Sequence, residues 1–336
     1  MKKHKYITCA SFGGTGSSAI TDLLKEFDNI LSLGEYEFTI AHEVDGISDL
    51  QHYLVDDWHR LKVDEGIYRF RKLSKRINKD YNKFFDGKFS KYTEEYIDRL
   101  IMLTWDGYWH QQRYRLSRIR EFFEYRLPLR IKREIIKVKI KNSNYELVPY
   151  QKRQVFNYVD RNIDFFNISK MYITKLLSAV DKDNKYEYLA FDQLIPPFNV
   201  KRYLNYFDNL KVIIVDRDPR DLYILNKKFW KEGWIPTDDV EVFITWFKNM
   251  RSRVEEEVSN NNVLLVKFED LIYKYDDEVE KIIKFLEVDC IDHINKKLYF
   301  NPEISIKNTK MWEKFDDFND DVTRIKKELG EFCYNI

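Results

Sequence analysis

The run Val212-Ile213-Ile214-Val215 constrains this chain more than any other stretch. It is short and wholly apolar, as a parallel strand buried on both faces must be. Directly after it come Arg217, Pro219 and Arg220, then a segment from 221 to 230 that can be helical. Two guanidinium groups therefore stand at the carboxyl end of a buried strand, which is where open α/β sheets bind ligands. The rigid fork of arginine suits phosphate or sulfate oxygens. The same residues also fit a plain strand end whose arginines pair with Asp216, Asp218 and Asp221.

A second element near the amino terminus points the same way. Residues 6–10 read as a strand, Ser11-Phe-Gly-Gly-Thr-Gly-Ser-Ser18 follows, and Ala19, Ile20, Leu23, Leu24 and Phe27 then share one helix face. A strand, a glycine-rich turn and a helix start aim backbone N–H groups and the positive helix end at a bound anion. Gly13, Gly14 and Gly16 allow close backbone approach, and Thr15, Ser17 and Ser18 offer hydroxyl donors. Tight strand-to-helix turns also use glycine for steric reasons alone. The loop is not a Walker A sequence, since no Lys follows its last glycine.

Further strands are expected at 30–33, 188–191 and 263–266, with helices between, which makes the class α/β with a parallel sheet. An apolar fraction of 44% is ample for one core, and residues 1–336 read as a single domain. Residues 45–185 interrupt the pattern and are too many for a crossover, so they form a mostly helical insertion. Within it, aromatic residues such as Trp58, Tyr68, Trp105 and Trp109 alternate with Lys and Arg. Residues 127–140 alternate (Leu129, Ile131, then Ile136, Val138, Ile140), as in a β-hairpin. Three readings fit the insertion: a packed aromatic core with a solvated basic face, a single-stranded nucleic-acid surface, or a lid that binds the substrate.

The net charge of +1 argues against a polyanionic partner and makes nucleic acid an unexpected one. Cys9, Cys290 and Cys333 have no metal-ligand spacing and read as reduced thiols. No run approaches the ~18 apolar residues of a membrane span, and the first strand begins too early for a signal peptide. The expected location is the cytoplasm.

Together the loop and the Arg217-Asp218-Pro219-Arg220-Asp221 segment resemble the sulfotransferase family, whose sulfuryl donor is 3′-phosphoadenosine-5′-phosphosulfate. A third match is Val263-Leu-Leu-Val-Lys-Phe-Glu-Asp-Leu271, followed by an amphipathic helix ending in Phe285-Leu286. The resemblance covers residues 5–30 and about 205–315. It implies a P-loop-like parallel sheet flanked by helices, and no metal. It also implies that Gly13 to Ser18 hold the 5′-phosphosulfate while Arg217 and Arg220 hold the 3′-phosphate. The segment 300–315 occupies the place of the family's last donor loop, which adds Lys307, Asn308 and Lys310, with Ser305 beside them. Two departures stand out. Gly14 replaces the usual loop Lys or Arg, and Leu225 replaces a serine that usually contacts the 3′-phosphate. Lys227 and Lys228 are the nearest cations to make up for them.

Sulfuryl transfer to a hydroxyl needs a base for the acceptor's proton. Glycan-modifying members carry a catalytic glutamate after the second strand, a position that Glu35 resembles, with Glu37 as runner-up. Members acting on small phenols use histidine, which makes His42 a competitor. Asp192 and Gln193 end the strand at 188–191, where they can hold acceptor hydroxyls or cap the next turn. The resemblance thus points to transfer onto a carbohydrate hydroxyl. A Mg²⁺-dependent kinase is opposed by the missing P-loop Lys, and a non-catalytic nucleotide-binding protein is kept open by the two departures.

Overall fold

The structure is a computed structural model that describes residues 4–107, 109–135 and 154–335. Its strands are β1 (Lys5–Ser11), β2 (Ile30–Glu37), β3 (Leu103–Gly107), β4 (Gln154–Tyr158), β5 (Tyr188–Asp192), β6 (Leu210–Asp216) and β7 (Val263–Lys267). Five of them form one sheet in the order β2-β5-β1-β6-β7, with every pairing parallel. All five strands expected from the sequence are there, each extending past its expected carboxyl end. The fold is α/β, with helices over both faces of the sheet. These include α1 (Ser17–Leu24), α2 (Arg60–Phe84), α3 (Phe89–Leu100), α4 (Phe165–Ser178), α5 (Pro219–Leu225) and α6 (Tyr275–Leu286).

Burial explains the unbroken apolar runs. In β6, Ile213 and Val215 enter a core shared with Ile20 and Leu24 of α1 and Ile282 of α6. Val212 and Ile214 enter the opposite core, with Leu189 and Phe191 of β5. Each such side chain contributes about 1.5–3 kcal/mol by leaving water, so a polar residue at any of the four would be costly. β1 lies centrally between β5 and β6, and α1 carries the chain from it to the edge strand β2. The crevice beyond the carboxyl end of β1 is therefore a topological switch point. Register places Ser11 opposite Val215 and Cys9 opposite Asp192, so the loops after β1, β5 and β6 emerge together.

The insertion packs onto the sheet rather than standing apart. Val63, Ile67, Phe70 and Tyr81 form the buried stripe of α2, and Phe70, Phe89 and Tyr96 share a core with Leu189 and Phe191. Tyr96 stacks on Tyr172 of α4 at 4.4 Å between ring centroids and bonds Ser169 Oγ at 2.8 Å. β3 and β4 pair antiparallel as a separate ribbon. The hairpin expected from 127 onward is not formed in the described part, which is helical at Leu127–Ile135. That helix continues from Arg118–Glu121 through a wide π-type turn at Phe122–Arg126. The turn comes just ahead of Pro128, which lacks a donor for the regular ladder. Residues 136–140 of the expected hairpin lie outside the described residues. No helix among the described residues is long and apolar enough to cross a membrane.

Candidate functional site

The glycine-rich loop needs its glycines twice over. Gly13, Gly14 and Gly16 have φ of 87°, 67° and 110°, a left-handed region that side chains resist. Aromatic rings also press on them. A Cβ would lie 1.7 Å from Trp234 at Gly13, 2.8 Å from Trp230 at Gly14 and 2.6 Å from Phe268 at Gly16. Thr15 Oγ1 donates to the Val215 carbonyl at 2.6 Å, which bolts the loop to β6 and commits that hydroxyl to the fold. Gly16 caps α1 without any side-chain hydrogen bond, so no side chain takes the positive helix end.

A cavity of about 290 Å³ opens at this helix start, lined by Gly14, Gly16, Ser17, Ser18, Asp22, Arg217, Trp230, Phe268, Ser305 and Asn308, among others. Arg217 is the one basic residue of that lining. It is only 4% exposed, and its Nε, fully buried, has no hydrogen-bond partner among the described residues. Its Nη2 donates to the Asn308 carbonyl, and its guanidinium lies 4.4 Å from the Phe268 ring centroid and 5.7 Å from that of Trp230. Burial pulls its pKa down, against the opposing pull of Asp221, Glu269 and Asp218. Two of these charges are blunted: burial pushes Asp221 and Glu269 each up to about 7. Asp221 is in turn committed to the backbone N–H groups of Met311 (2.6 Å) and Lys310 (3.1 Å).

Other expected residues are engaged elsewhere. Arg220 pairs with Asp218 at 2.6 Å and lies 3.6 Å from the Trp312 ring centroid, away from the cavity lining. Lys227 donates to Tyr223 Oη at 2.6 Å and meets Asp321 at 3.4 Å, and Lys228 sits over Phe315 at 3.9 Å. Lys310 Nζ is 5.8 Å from the Tyr273 ring, Lys307 is exposed, and neither lines the cavity. Leu225 is 4% exposed in the core beneath α5. The aromatic walls Trp230, Trp234 and Phe268 were not singled out by the sequence. Their signal would have been the need to pair glycines at φ > 0 with rings occupying the missing side chains' space.

Beside the loop, β5 ends in Asp192, which is 7% exposed. Ser17, a cavity residue, donates to Asp192 Oδ2 at 3.3 Å, while the buried Oδ1 has no partner among the described residues. Glu37 of β2 stands opposite Asp192 across an irregular register. Burial first, and Glu37 second, push Asp192 up to about 7. Glu35 and Glu37 are both exposed, and of the two it is Glu37 that pairs across from Asp192. His42 lies 2.9 Å, Nε2 to oxygen, from the Gln193 carbonyl, and burial lowers its pKa. Gln193 has φ of 54° and donates from Nε2 to Ser11 Oγ at 2.7 Å. The structure thus gathers Glu37, Asp192, Gln193 and His42 at the ends of β2 and β5, and leaves Glu35 outside.

No protein-family model matches this chain, and no curated protein matches it. Solved structures similar to it include the sulfotransferase domain from the curacin biosynthetic pathway (11% identity, TM-score 0.41, covering 87% of this chain and 76% of that one). Two others are the sulfotransferase STF9 from Mycobacterium avium (9%, 0.39, 92% and 69%) and the sulfotransferase domain of the Synechococcus PCC 7002 olefin synthase (11%, 0.39, 92% and 89%). Each is a sulfotransferase or a sulfotransferase domain. No group of three or more metal-ligating side chains occurs among the described residues.

Proposed function

We propose that this chain is a sulfotransferase that uses 3′-phosphoadenosine-5′-phosphosulfate to modify a hydroxyl of a carbohydrate. One observation carries the reading. Arg217 is a buried guanidinium whose Nε has no partner among the described residues, on a cavity also lined by a helix start behind a glycine-rich loop. Burying a cation without a closely paired anion is costly, and a phosphate or sulfate oxygen placed there offsets that cost. The donor supplies an activated sulfuryl group and leaves as adenosine 3′,5′-bisphosphate.

The residues divide the work as follows. Loop N–H groups from Gly14 to Ser18 and the dipole of α1 meet one anionic group, and Arg217 with Asn308 and Ser305 meets the other. Trp230 and Phe268 offer flat apolar faces to a nucleotide base. Asp192 takes the acceptor's proton. Its pKa of about 7 matches the operating pH of a general base, and its Oδ1 is unpartnered. As the acceptor oxygen bonds to sulfur, the bond from sulfur to the bridging oxygen breaks, and the charge left on the phosphate meets the loop. Glu37 raises the basicity of Asp192, and Gln193 and His42 shape the acceptor side. Support for a carbohydrate acceptor is the polar character of this edge and the Glu-x-x-Phe resemblance of Glu35 and Phe38.

A second reading is favoured by one observation. Among the described residues Arg217 is the sole basic residue lining the cavity, so a nucleotide-binding protein without transfer activity fits the same site. Release of adenosine 3′,5′-bisphosphate from the donor, measured with and without a hydroxylated carbohydrate fraction, separates the two. Acceptor-dependent release supports the transferase, and tight binding without release supports the second reading.

A further inference from the structure

A second and larger cavity, about 540 Å³, lies wholly within the insertion. Its walls are Tyr53, Tyr68, Trp109, Tyr114 and Phe156, with Asp64, Glu65, Arg69 and Arg115 between the rings. A volume of this size falls within the ~300–1,000 Å³ of small-molecule pockets. Five of the charged groups satisfy one another. Arg115 bonds Asp64 at 2.7 Å and Glu65 at 2.8 Å, and Arg69 bonds Glu65 at 2.9 Å and meets Asp45 at 3.5 Å. Asp64 Oδ1 also accepts from Asn157 N at 2.9 Å, which ties α2 to β4 and fixes the wall.

The Gln112 amide is a different case. Gln112 is 4% exposed, and both its Nε2 and Oε1 are buried with no partner among the described residues. A buried amide wants both a donor and an acceptor, and protein groups this deep are ordinarily paired. The cavity that Gln112 lines is the available source. Vicinal hydroxyls of a sugar ring offer both roles at once, and aromatic rings cover the ring's apolar C–H face. Internally neutralised charges disfavour an ionic ligand. Lys72, exposed at the rim, is a lining cation for which no carboxylate lies in range among the described residues.

We infer that this cavity is a binding site for an uncharged saccharide unit, read by the Gln112 amide and held between Tyr68, Tyr114 and Trp109. Asp45 at its edge is three residues from His42, a separation of at most about 11 Å between Cα atoms. The ends of β2 and β5 are therefore within reach of a glycan seated here. The role of that sugar as an acceptor subsite rests on the proposed sulfotransferase function, but its binding does not.

The test uses the purified full chain on a printed array of defined neutral and acidic oligosaccharides, with no nucleotide present. The expected result is saturable binding to neutral oligosaccharides, at least tenfold weaker in Gln112→Ala and in Tyr114→Ala, and unchanged in Arg217→Met, which keeps much of the buried volume. Tyr114 is 78% exposed, so its replacement tests the site without threatening the fold. Absence of neutral-glycan binding, binding to acidic glycans alone, or wild-type binding by either cavity variant overturns the inference. Loss in Arg217→Met at an unchanged melting temperature overturns it too, by moving the sugar to the other cavity. Saccharide binding without any response to nucleotide sinks the sulfotransferase reading while leaving this one standing.

Discussion

Replacing Arg217 by Met separates a binding role from a structural one, because the two predict opposite pairs of results. Wild-type Arg217 is 4% exposed, and its guanidinium donates to the Asn308 carbonyl. Losing that charged bond costs about 1.5–3 kcal/mol. Losing the contacts with Phe268 and Trp230 costs up to ~2 kcal/mol more. Against this, methionine keeps much of the volume and removes the desolvation penalty of a buried cation, several kcal/mol in itself. The terms offset, so stability should change by no more than about 2 kcal/mol, or a few degrees in Tm. Ligand binding has no such offset. One or two charge-assisted contacts are lost, and at 1.4 kcal/mol per decade affinity for adenosine 3′,5′-bisphosphate should fall roughly 10- to 100-fold or more. Scanning calorimetry and titration calorimetry on the same preparation read both quantities. A Tm lowered by more than about 10 °C with nucleotide affinity intact would refute the reasoning and make Arg217 a packing residue.

Three further outcomes are expected. Asp192→Asn should lower turnover on the order of 10²–10⁴-fold with donor affinity retained, whereas Glu35→Gln should leave steady-state rates within about threefold; reversed effects would return the base to Glu35. Because Asp192 titrates at about 7 when folded and near 3.9 when unfolded, the folded state holds the extra proton between those values. Its contribution to stability is present below pH ~4, declines as pH rises to about 7 and is flat above, so urea titrations of Asp192→Asn should show a shallower decline than wild type over that window. Gly14→Lys restores the cation usual in sulfotransferases, yet it should lower stability by at least about 1–2 kcal/mol. Its Cβ would sit 2.8 Å from Trp230 at φ of 67°, so shifted tryptophan fluorescence and weaker nucleotide binding are expected, and a gain in turnover would contradict the steric account.

The sheet was legible because buried parallel strands leave continuous apolar runs, and each expected strand, from 6–10 to 263–266, has its counterpart. The glycine-rich turn and Arg217 were legible too, since both follow such runs directly. What local sequence hid was the choice among neighbours. Arg220 follows Arg217 by only three residues, but Asp218 captures it. Glu35 and Glu37 lie two apart, and only Glu37 is brought opposite Asp192, across the irregularity after Leu33. The raised pKa of Asp192 depends on burial beneath other elements, which a strand-end carboxylate does not announce. Residues 127–135 misled because their alternation also satisfies a helix that begins well before Pro128.

The most direct measurement is titration calorimetry of the wild-type chain with adenosine 3′,5′-bisphosphate in the presence of EDTA, run beside ATP with Mg²⁺. The account predicts saturable 1:1 binding of the bisphosphate without metal, weakened at least about tenfold on neutralising Arg217, and far weaker binding of ATP. Binding of ATP with Mg²⁺ while the bisphosphate gives no heat would contradict it, and would hand the cavity at Gly14 and Arg217 to a nucleotide-dependent kinase.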